Sequence, residues 1–214
     1  TATTASDAPA QPPSLARQGL WLMLAALGTV MLLAVTNHIT QNIASIPLLW
    51  LAPLTLYLLT FILCFEGRGW YRRWLFVLPF LALLPAMAWG LQANSGVLHL
   101  EKAVPLYCAG LFIGCMFCHG ELALAKPTPR YLTRFYLMVS LGGAVGGLFI
   151  GMAAPRIFNA YYELPLALFV GGLLAVWLLR RGSDNATGVF GPLAPTQGVG
   201  GAVFGWLPSA LALA

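Results

Sequence analysis

Long apolar runs, separated by short polar segments, are the feature that most limits how this chain can fold. Only 8% of the 214 residues are charged, whereas a soluble domain carries roughly 25%. A membrane-spanning helix needs about 20 apolar residues, so the shorter runs must borrow flanking residues. The sequence therefore predicts an all-α, polytopic integral membrane protein, with six transmembrane helices within residues 20–181. The six runs are Leu20–Val35, Ile46–Phe65, Leu75–Leu91, Val104–Cys118, Phe135–Ala154 and Leu164–Leu179.

Three further segments lie outside these runs. Residues 1–19 are small, polar and Pro-containing, a composition typical of a flexible tail. Residues 182–198 are rich in Gly, Pro and Ser, which predicts a linker. Residues 199–214 are apolar but short, and we expect them to be part of a truncated seventh helix.

Basic residues predict the orientation of the chain. If the N-terminus is cytoplasmic, nine of the eleven Lys and Arg residues fall on the cytoplasmic side, as the positive-inside rule requires. They lie in small groups between apolar runs, so a nucleic-acid partner is not indicated. We expect Arg72, Lys126 and Arg180 on the cytoplasmic side of the membrane, and His38, Glu101 and Tyr161 on the other. The nine are Arg17, Arg68, Arg72, Arg73, Lys126, Arg130, Arg134, Arg180 and Arg181.

Residues 115–119 spell CxxCH, the attachment pattern of c-type haem. In that chemistry Cys115 and Cys118 would bond the haem and His119 would ligate the iron. The pattern lies at the end of an apolar run, on the side predicted to be cytoplasmic, whereas c-type haem is attached on the other side. Buried free thiols are the alternative interpretation, and we expect no metal or cofactor.

His119 and Glu121 form a predicted interface cluster at the end of the fourth span. Ionisable residues at such a boundary are costly and usually have a role. Lys126, Arg130 and Arg134 follow closely, so we expect positive charge near Glu121. On this interpretation the cluster fixes the end of the span against the proline-containing turn that follows. One His and one Glu are too few for a complete metal site.

Asn37, His38, Gln41 and Asn42 predict a polar cavity. Asn37 and Gln41 are four residues apart, as are His38 and Asn42, so each pair would share a helix face. A solvated loop is the alternative. Because His38 and His119 are predicted on opposite sides of the membrane, they should not ligate one haem iron together.

A glycine ridge follows the basic turn. Gly142, Gly143, Gly146, Gly147 and Gly151 form overlapping GxxxG pairs, and such a pattern lets two membrane helices approach closely. We expect Gly143 and Gly147 to contact a neighbouring helix. A nucleotide-binding loop is not indicated, because that fingerprint must lie between a strand and a helix.

Three stretches resemble a known family. TNHITQNIASIPLLWLAPLTLYLLTFILCFE, CHGELALAKPTPRYLTRFYLMVSLGGAVGG and APRIFNAYYELPL are similar to the membrane half of bacterial fused transporter-like/spermidine synthase proteins, over about Thr36–Leu166. The resemblance implies a helical, major-facilitator-like membrane portion, which in the family precedes a soluble aminopropyltransferase domain. No glycine fingerprint or acidic polyamine site of that domain is visible here, so no transferase activity is implied for these residues.

Three functional hypotheses follow from the sequence. The first is a non-catalytic membrane module, transporter-like or scaffolding, that anchors a missing soluble domain or docks onto a larger membrane complex. Its expected partners are the lipid bilayer and other membrane protein subunits. The second is a redox subunit that binds haem through Cys115, Cys118 and His119. The third is a transporter of a small solute or polyamine.

Overall fold

The computed structural model describes residues 12–43, 48–66, 71–92, 100–158 and 162–184. Within these ranges all regular structure is helical. The predicted all-α class is therefore confirmed for the described part of the chain. The predicted linker beyond Asp184 and the predicted partial helix at 199–214 lie outside the described residues, as does Tyr161.

Seven α-helices are described, together with three short turns of other helical types. The α-helices are α1 (Leu15–His38), α2 (Leu51–Glu66), α3 (Arg73–Gln92), α4 (Leu100–Leu124), α5 (Leu132–Leu148), α6 (Ala154–Ile157) and α7 (Glu163–Asp184). Ile39–Ile43 and Phe149–Ala153 are π-helical, and Pro129–Tyr131 is a 3₁₀ turn. The chain divides into two compact units within α7, between Trp177 and Leu178, and the packing described below is that of the part up to Trp177.

Five described helical segments are long and apolar enough to cross a membrane. They are Leu15–Gln41, Arg73–Leu91, Glu101–Leu124, Pro129–Ile157 and Glu163–Arg180. The helix α2 is apolar but has only 16 residues, which at 1.5 Å per residue gives about 24 Å, less than the roughly 30 Å of a bilayer core. Five long apolar helices are compatible with a multi-pass membrane protein.

Several helices are longer than their apolar runs. The helix α1 begins at Leu15, so Leu15–Gly19 are helical rather than part of a tail. Ser14 explains this start, because its hydroxyl accepts a hydrogen bond from the backbone N–H of Arg17 at 3.3 Å. The helix α4 continues through the Cys-His-Gly-Glu residues to Leu124, and α7 continues through the predicted end of its span to Asp184.

The helices α1 and α4 lie at the centre of the packing. The helix α1 packs most extensively against α5, and α4 packs against α1, α2 and α3. One cluster of the core contains Trp21, Leu24, Ala25, Leu122 and Phe135. Within it the rings of Trp21 and Phe135 meet edge to face, with centroids 5.1 Å apart, an arrangement that aromatic quadrupoles favour.

Large apolar side chains cover much of the outer surface. Leu78 on α3, Leu137 on α5 and Phe169 on α7 are each more than half exposed. Water-soluble proteins rarely expose continuous apolar surface of this kind, whereas lipid-facing helices require it.

Candidate functional site

The candidate site is a polar cluster on α4, formed by His119, Glu121 and the side chains that bind them. Both residues are buried, at 1% and 4% exposure. The sequence places them at the end of a span, but the structure places them inside a helix that continues to Leu124. We refer to His119, Glu121, Thr60, Tyr71 and Arg73 as the α4 polar cluster.

Glu121 is bound by Arg73, at the start of α3, and by Tyr71, two residues before it. Arg73 donates from Nε to Oε1 and from Nη2 to Oε2, both at 2.6 Å, which is a bidentate ion pair. The Tyr71 hydroxyl donates to Oε1 at 2.8 Å. Burial raises the pKa of Tyr71, and the negative charge of Glu121 raises it further. This hydroxyl therefore keeps its proton and remains a hydrogen-bond donor.

The observed ion pair corrects the prediction for Glu121. We expected positive charge from Lys126, Arg130 and Arg134, which are near in sequence. The ion pair found among the described residues is with Arg73 instead, 48 positions away. Lys126, Arg130 and Arg134 are all exposed. The ion pair therefore joins α4 to the start of α3.

Gly120 makes room for the Tyr71 ring. A Cβ atom at position 120 would overlap that ring. The small residue between His119 and Glu121 therefore allows Tyr71 to lie flat against α4 and reach the carboxylate. The sequence shows a glycine at position 120, but only the packing of Tyr71 shows why a glycine is needed there.

His119 is held between α2 and α1. Its Nδ1 lies 3.0 Å from Oγ1 of Thr60, and that hydroxyl donates to the Tyr57 carbonyl at 2.8 Å. Because the Thr60 proton is used in this way, Nδ1 of His119 is assigned as the donor of this hydrogen bond. The His119 ring contacts Tyr57 and Phe61 edge to face at 4.8 and 5.2 Å, and a Cβ at Gly28 would lie 3.5 Å from Nε2.

A second polar contact ties the end of α4 to α1. The carbonyl of Ala125 accepts hydrogen bonds from Nη2 of Arg17 at 3.0 Å and from Nε1 of Trp21 at 3.2 Å. Carbonyls at the end of a helix lack intrahelical partners, and Pro127 prevents a normal continuation. Sequence reasoning missed this contact, because it placed Arg17 in a tail and the two segments lie more than 100 residues apart.

The CxxCH residues do not fit covalent haem. Cys115 and Cys118 are fully buried, and Gly28 of α1 packs near Cys118. His119 is covered by two aromatic rings and bound through Nδ1, as described above. The edge of a haem would have to replace this packing to reach both thiols. His38 is no second ligand either, since its ring contacts Tyr107, about 18 Å along α4 from His119 at 1.5 Å per residue.

Three of the four residues of the predicted polar cavity, Asn37, His38 and Gln41, have described side chains. His38 is half-buried with its ring centroid 4.4 Å from that of Tyr107, whereas Gln41 is exposed. Both residues lie near the junction of α1 with the π-helical turn, which changes the spacing expected for one helix face. The side chain of Asn42 lies outside the described residues.

Two glycines of the ridge contact α1. A Cβ at Gly142 would overlap the Leu22 carbonyl, and one at Gly146 would lie 2.6 Å from the Ala26 carbonyl. Gly143 has only an ordinary contact with Thr29, at 3.5 Å. Positions 147 and 151 meet nothing within 4 Å. The expectation that Gly147 touches a neighbouring helix is therefore wrong: the close approach uses the pair one position earlier.

An apolar groove lies between α3 and α7, apart from the α4 polar cluster. It has a volume of about 520 Å³. Ligand sites combine apolar walls with a few convergent polar groups, but every side chain that lines this groove is apolar. The lining residues are Leu84, Pro85, Ala88, Leu91, Pro165, Leu168, Phe169, Gly172, Leu173 and Val176.

Neither metal geometry nor similarity to known proteins assigns a function. Among the described residues, no group of three or more His, Cys, Asp or Glu side chains could hold a metal ion. No protein-family model, no curated protein and no solved structure matches this chain.

Proposed function

We propose that this chain is a non-catalytic, multi-pass module of the bacterial inner membrane, with its N-terminus in the cytoplasm. The five long apolar helices and their exposed apolar side chains support a membrane location. Residues 48–50 form a turn that leads into α2. Together with α2 they would supply a sixth, shorter span.

The observation that carries a non-catalytic role is the internal use of the buried ionisable groups. Both oxygens of Glu121 are bound by Arg73, and His119 is bound by Thr60. A catalytic acid, base or nucleophile must instead reach a substrate. The described groove, which could admit a ligand, has only apolar lining. The buried polar groups therefore serve to hold α2, α3 and α4 together.

We further propose that the module anchors a soluble domain or docks onto a larger membrane complex. Its sequence resembles the membrane half of fused transporter-like/spermidine synthase proteins, in which the membrane part precedes an aminopropyltransferase domain. This role needs a stable bundle and a lipid-facing surface, and both agree with the observed packing. Transport through a polar cavity and redox chemistry with haem are the two alternative functions, and the measurements given below separate them from the anchoring role.

Alkaline carbonate extraction of cell membranes tests the location directly. We expect the chain to stay in the membrane pellet, and its release into the supernatant would contradict the proposal. In a variant without the native cysteines, single cysteines at positions 38 and 101 should react with an impermeant maleimide from outside intact cells. A cysteine at position 126 should react only after the membrane is opened. Reaction at 126 in intact cells would invert the proposed orientation.

Two measurements separate the competing functions. A visible absorption spectrum of the purified protein should show no haem band. Proteoliposomes should take up no more labelled spermidine than protein-free liposomes. A Soret band would support the redox hypothesis, and protein-dependent uptake would support the transport hypothesis.

A further inference from the structure

The two ends of the described bundle carry different charge. Within the part up to Trp177, one end contains the start of α1, the end of α2, the start of α3, the end of α4 and the start of α5. The contacts of Ala125 and Glu121 join α1 and α3 to α4 at this end. Its six basic and two acidic residues give a formal net charge of +4. At the opposite end, two basic and two acidic described residues cancel. The first set is Arg17, Arg72, Arg73, Lys126, Arg130, Arg134, Glu66 and Glu121; the second is Glu101, Lys102, Arg156 and Glu163.

Four of the cations at the charged end are left for an outside partner. Arg73 is used by Glu121, and Arg17 by the Ala125 carbonyl. The other four are exposed, and the described part of the chain shows no ion pair to any of them. The guanidinium of Arg130 lies over the Tyr131 ring at 5.8 Å, which leaves its edge available. These four, Arg72, Lys126, Arg130 and Arg134, are called the basic rim.

The basic rim borders apolar surface directly. Arg134 is followed on α5, one turn later, by Leu137, which is 61% exposed. At the start of α3, the backbone N–H of Leu75 donates a hydrogen bond to the Arg72 carbonyl. The Leu75 side chain is largely exposed. Residues three apart are neighbours on a helix surface. A ligand at the rim can therefore touch a cation and an apolar side chain together.

From this arrangement we infer that the basic rim binds the headgroups of anionic phospholipids, whose acyl chains lie along α3 and α5. Lipid phosphate matches the cations, and the acyl chain matches the adjoining apolar surface. Free phosphate or a soluble polyanion would satisfy only the first. The inference rests on the proposed membrane location and names the lipid class that the cytoplasmic end selects. Basic residues beside an anionic membrane surface each contribute about fivefold in binding.

The test uses the purified full chain in a mild non-ionic detergent. It is mixed with equal amounts of phosphatidylglycerol and phosphatidylcholine of the same chain length, and native mass spectrometry gives the ratio of the two retained lipids. We expect phosphatidylglycerol to be preferred. Arg134→Gln should lower the preference about fivefold, whereas Lys102→Gln, which removes an exposed cation from the neutral end, should change it by less than about twofold.

Three outcomes would overturn the inference: equal retention of both lipids by the unmodified chain, an equal loss in both variants, or displacement of phosphatidylglycerol by millimolar inorganic phosphate. If Arg134→Gln fails to fold, Arg130→Gln takes its place in the comparison. Membrane extraction is measured separately. A chain that stays in the membrane but shows no lipid preference contradicts this inference alone, while a chain released by carbonate contradicts the proposed function.

Discussion

Breaking the ion pair between Arg73 and Glu121 should destabilise the bundle unequally from its two sides. The Glu121 side chain is 5% exposed and that of Arg73 is 34% exposed. Removal of one partner from a buried pair costs about 3–5 kcal/mol, because the other charge remains buried. Glu121→Gln leaves Arg73, which water partly reaches, so we expect a smaller cost of about 2–3 kcal/mol. Arg73→Gln leaves the nearly inaccessible carboxylate, so its cost should approach the full range.

The unfolding free energy in dodecyl maltoside with increasing dodecyl sulfate, followed by circular dichroism, measures these costs. Glu101→Gln is the matched control, since it removes an exposed carboxylate from the same helix and should change stability by less than about 0.5 kcal/mol. The double variant Arg73→Met/Glu121→Met removes both charges, so it should be more stable than Arg73→Gln. The reasoning fails if Glu121→Gln equals the control, or if Arg73→Gln costs less than Glu121→Gln.

Three further predictions concern small residues of α4 and α5. Gly146→Ala should cost about 1–3 kcal/mol in the same assay, because its Cβ meets an α1 carbonyl. Gly147→Ala has open space around it, so it should be neutral or stabilising by up to about 1 kcal/mol. Equal effects of the two substitutions would disprove the assigned packing face of α5. Gly120→Ala should destabilise by a similar 1–3 kcal/mol, since the phenol ring beside it must move; unchanged stability would show that the ring is not held there. Cys115→Ala/Cys118→Ala should stay folded and lose less stability than Glu121→Gln. Neither this variant nor the unmodified chain should show a haem stain after denaturing electrophoresis. A stained band that Cys118→Ala abolishes would establish haem attachment.

Hydropathy was sufficient to find the helices but not their ends. The apolar runs correspond to α1–α5 and α7 because hydrophobic length is a local property of the sequence. Arg17 and Gln18 hid the start of α1, since their polar character suggested a tail, yet Ser14 caps the helix and Ala125 accepts the Arg17 side chain. In α4, polar residues suggested an end, but their partners on α2 and α3 let the helix continue.

The partners inside the site could not be read from the sequence for a different reason. His119 and Glu121 stood out, because ionisable residues in apolar runs need partners. Three cations close in sequence to Glu121 were the obvious candidates, and nothing local indicated that Arg73 would supply the pair instead. The glycine ridge shows the same limit. Overlapping GxxxG pairs establish that a close approach is available, but the rotation of α5 about its axis decides which pair uses it.

Three successive residues of α4 fix the rotation of that helix. His119, Gly120 and Glu121 point about 100° apart around the axis and meet α2, the Tyr71 ring and α3 respectively. A turn of α4 about its own axis would break all three contacts together, so such a movement has no partial, low-cost stage. Any movement that preserves these contacts must therefore carry α2, the start of α3 and the end of α4 as one body.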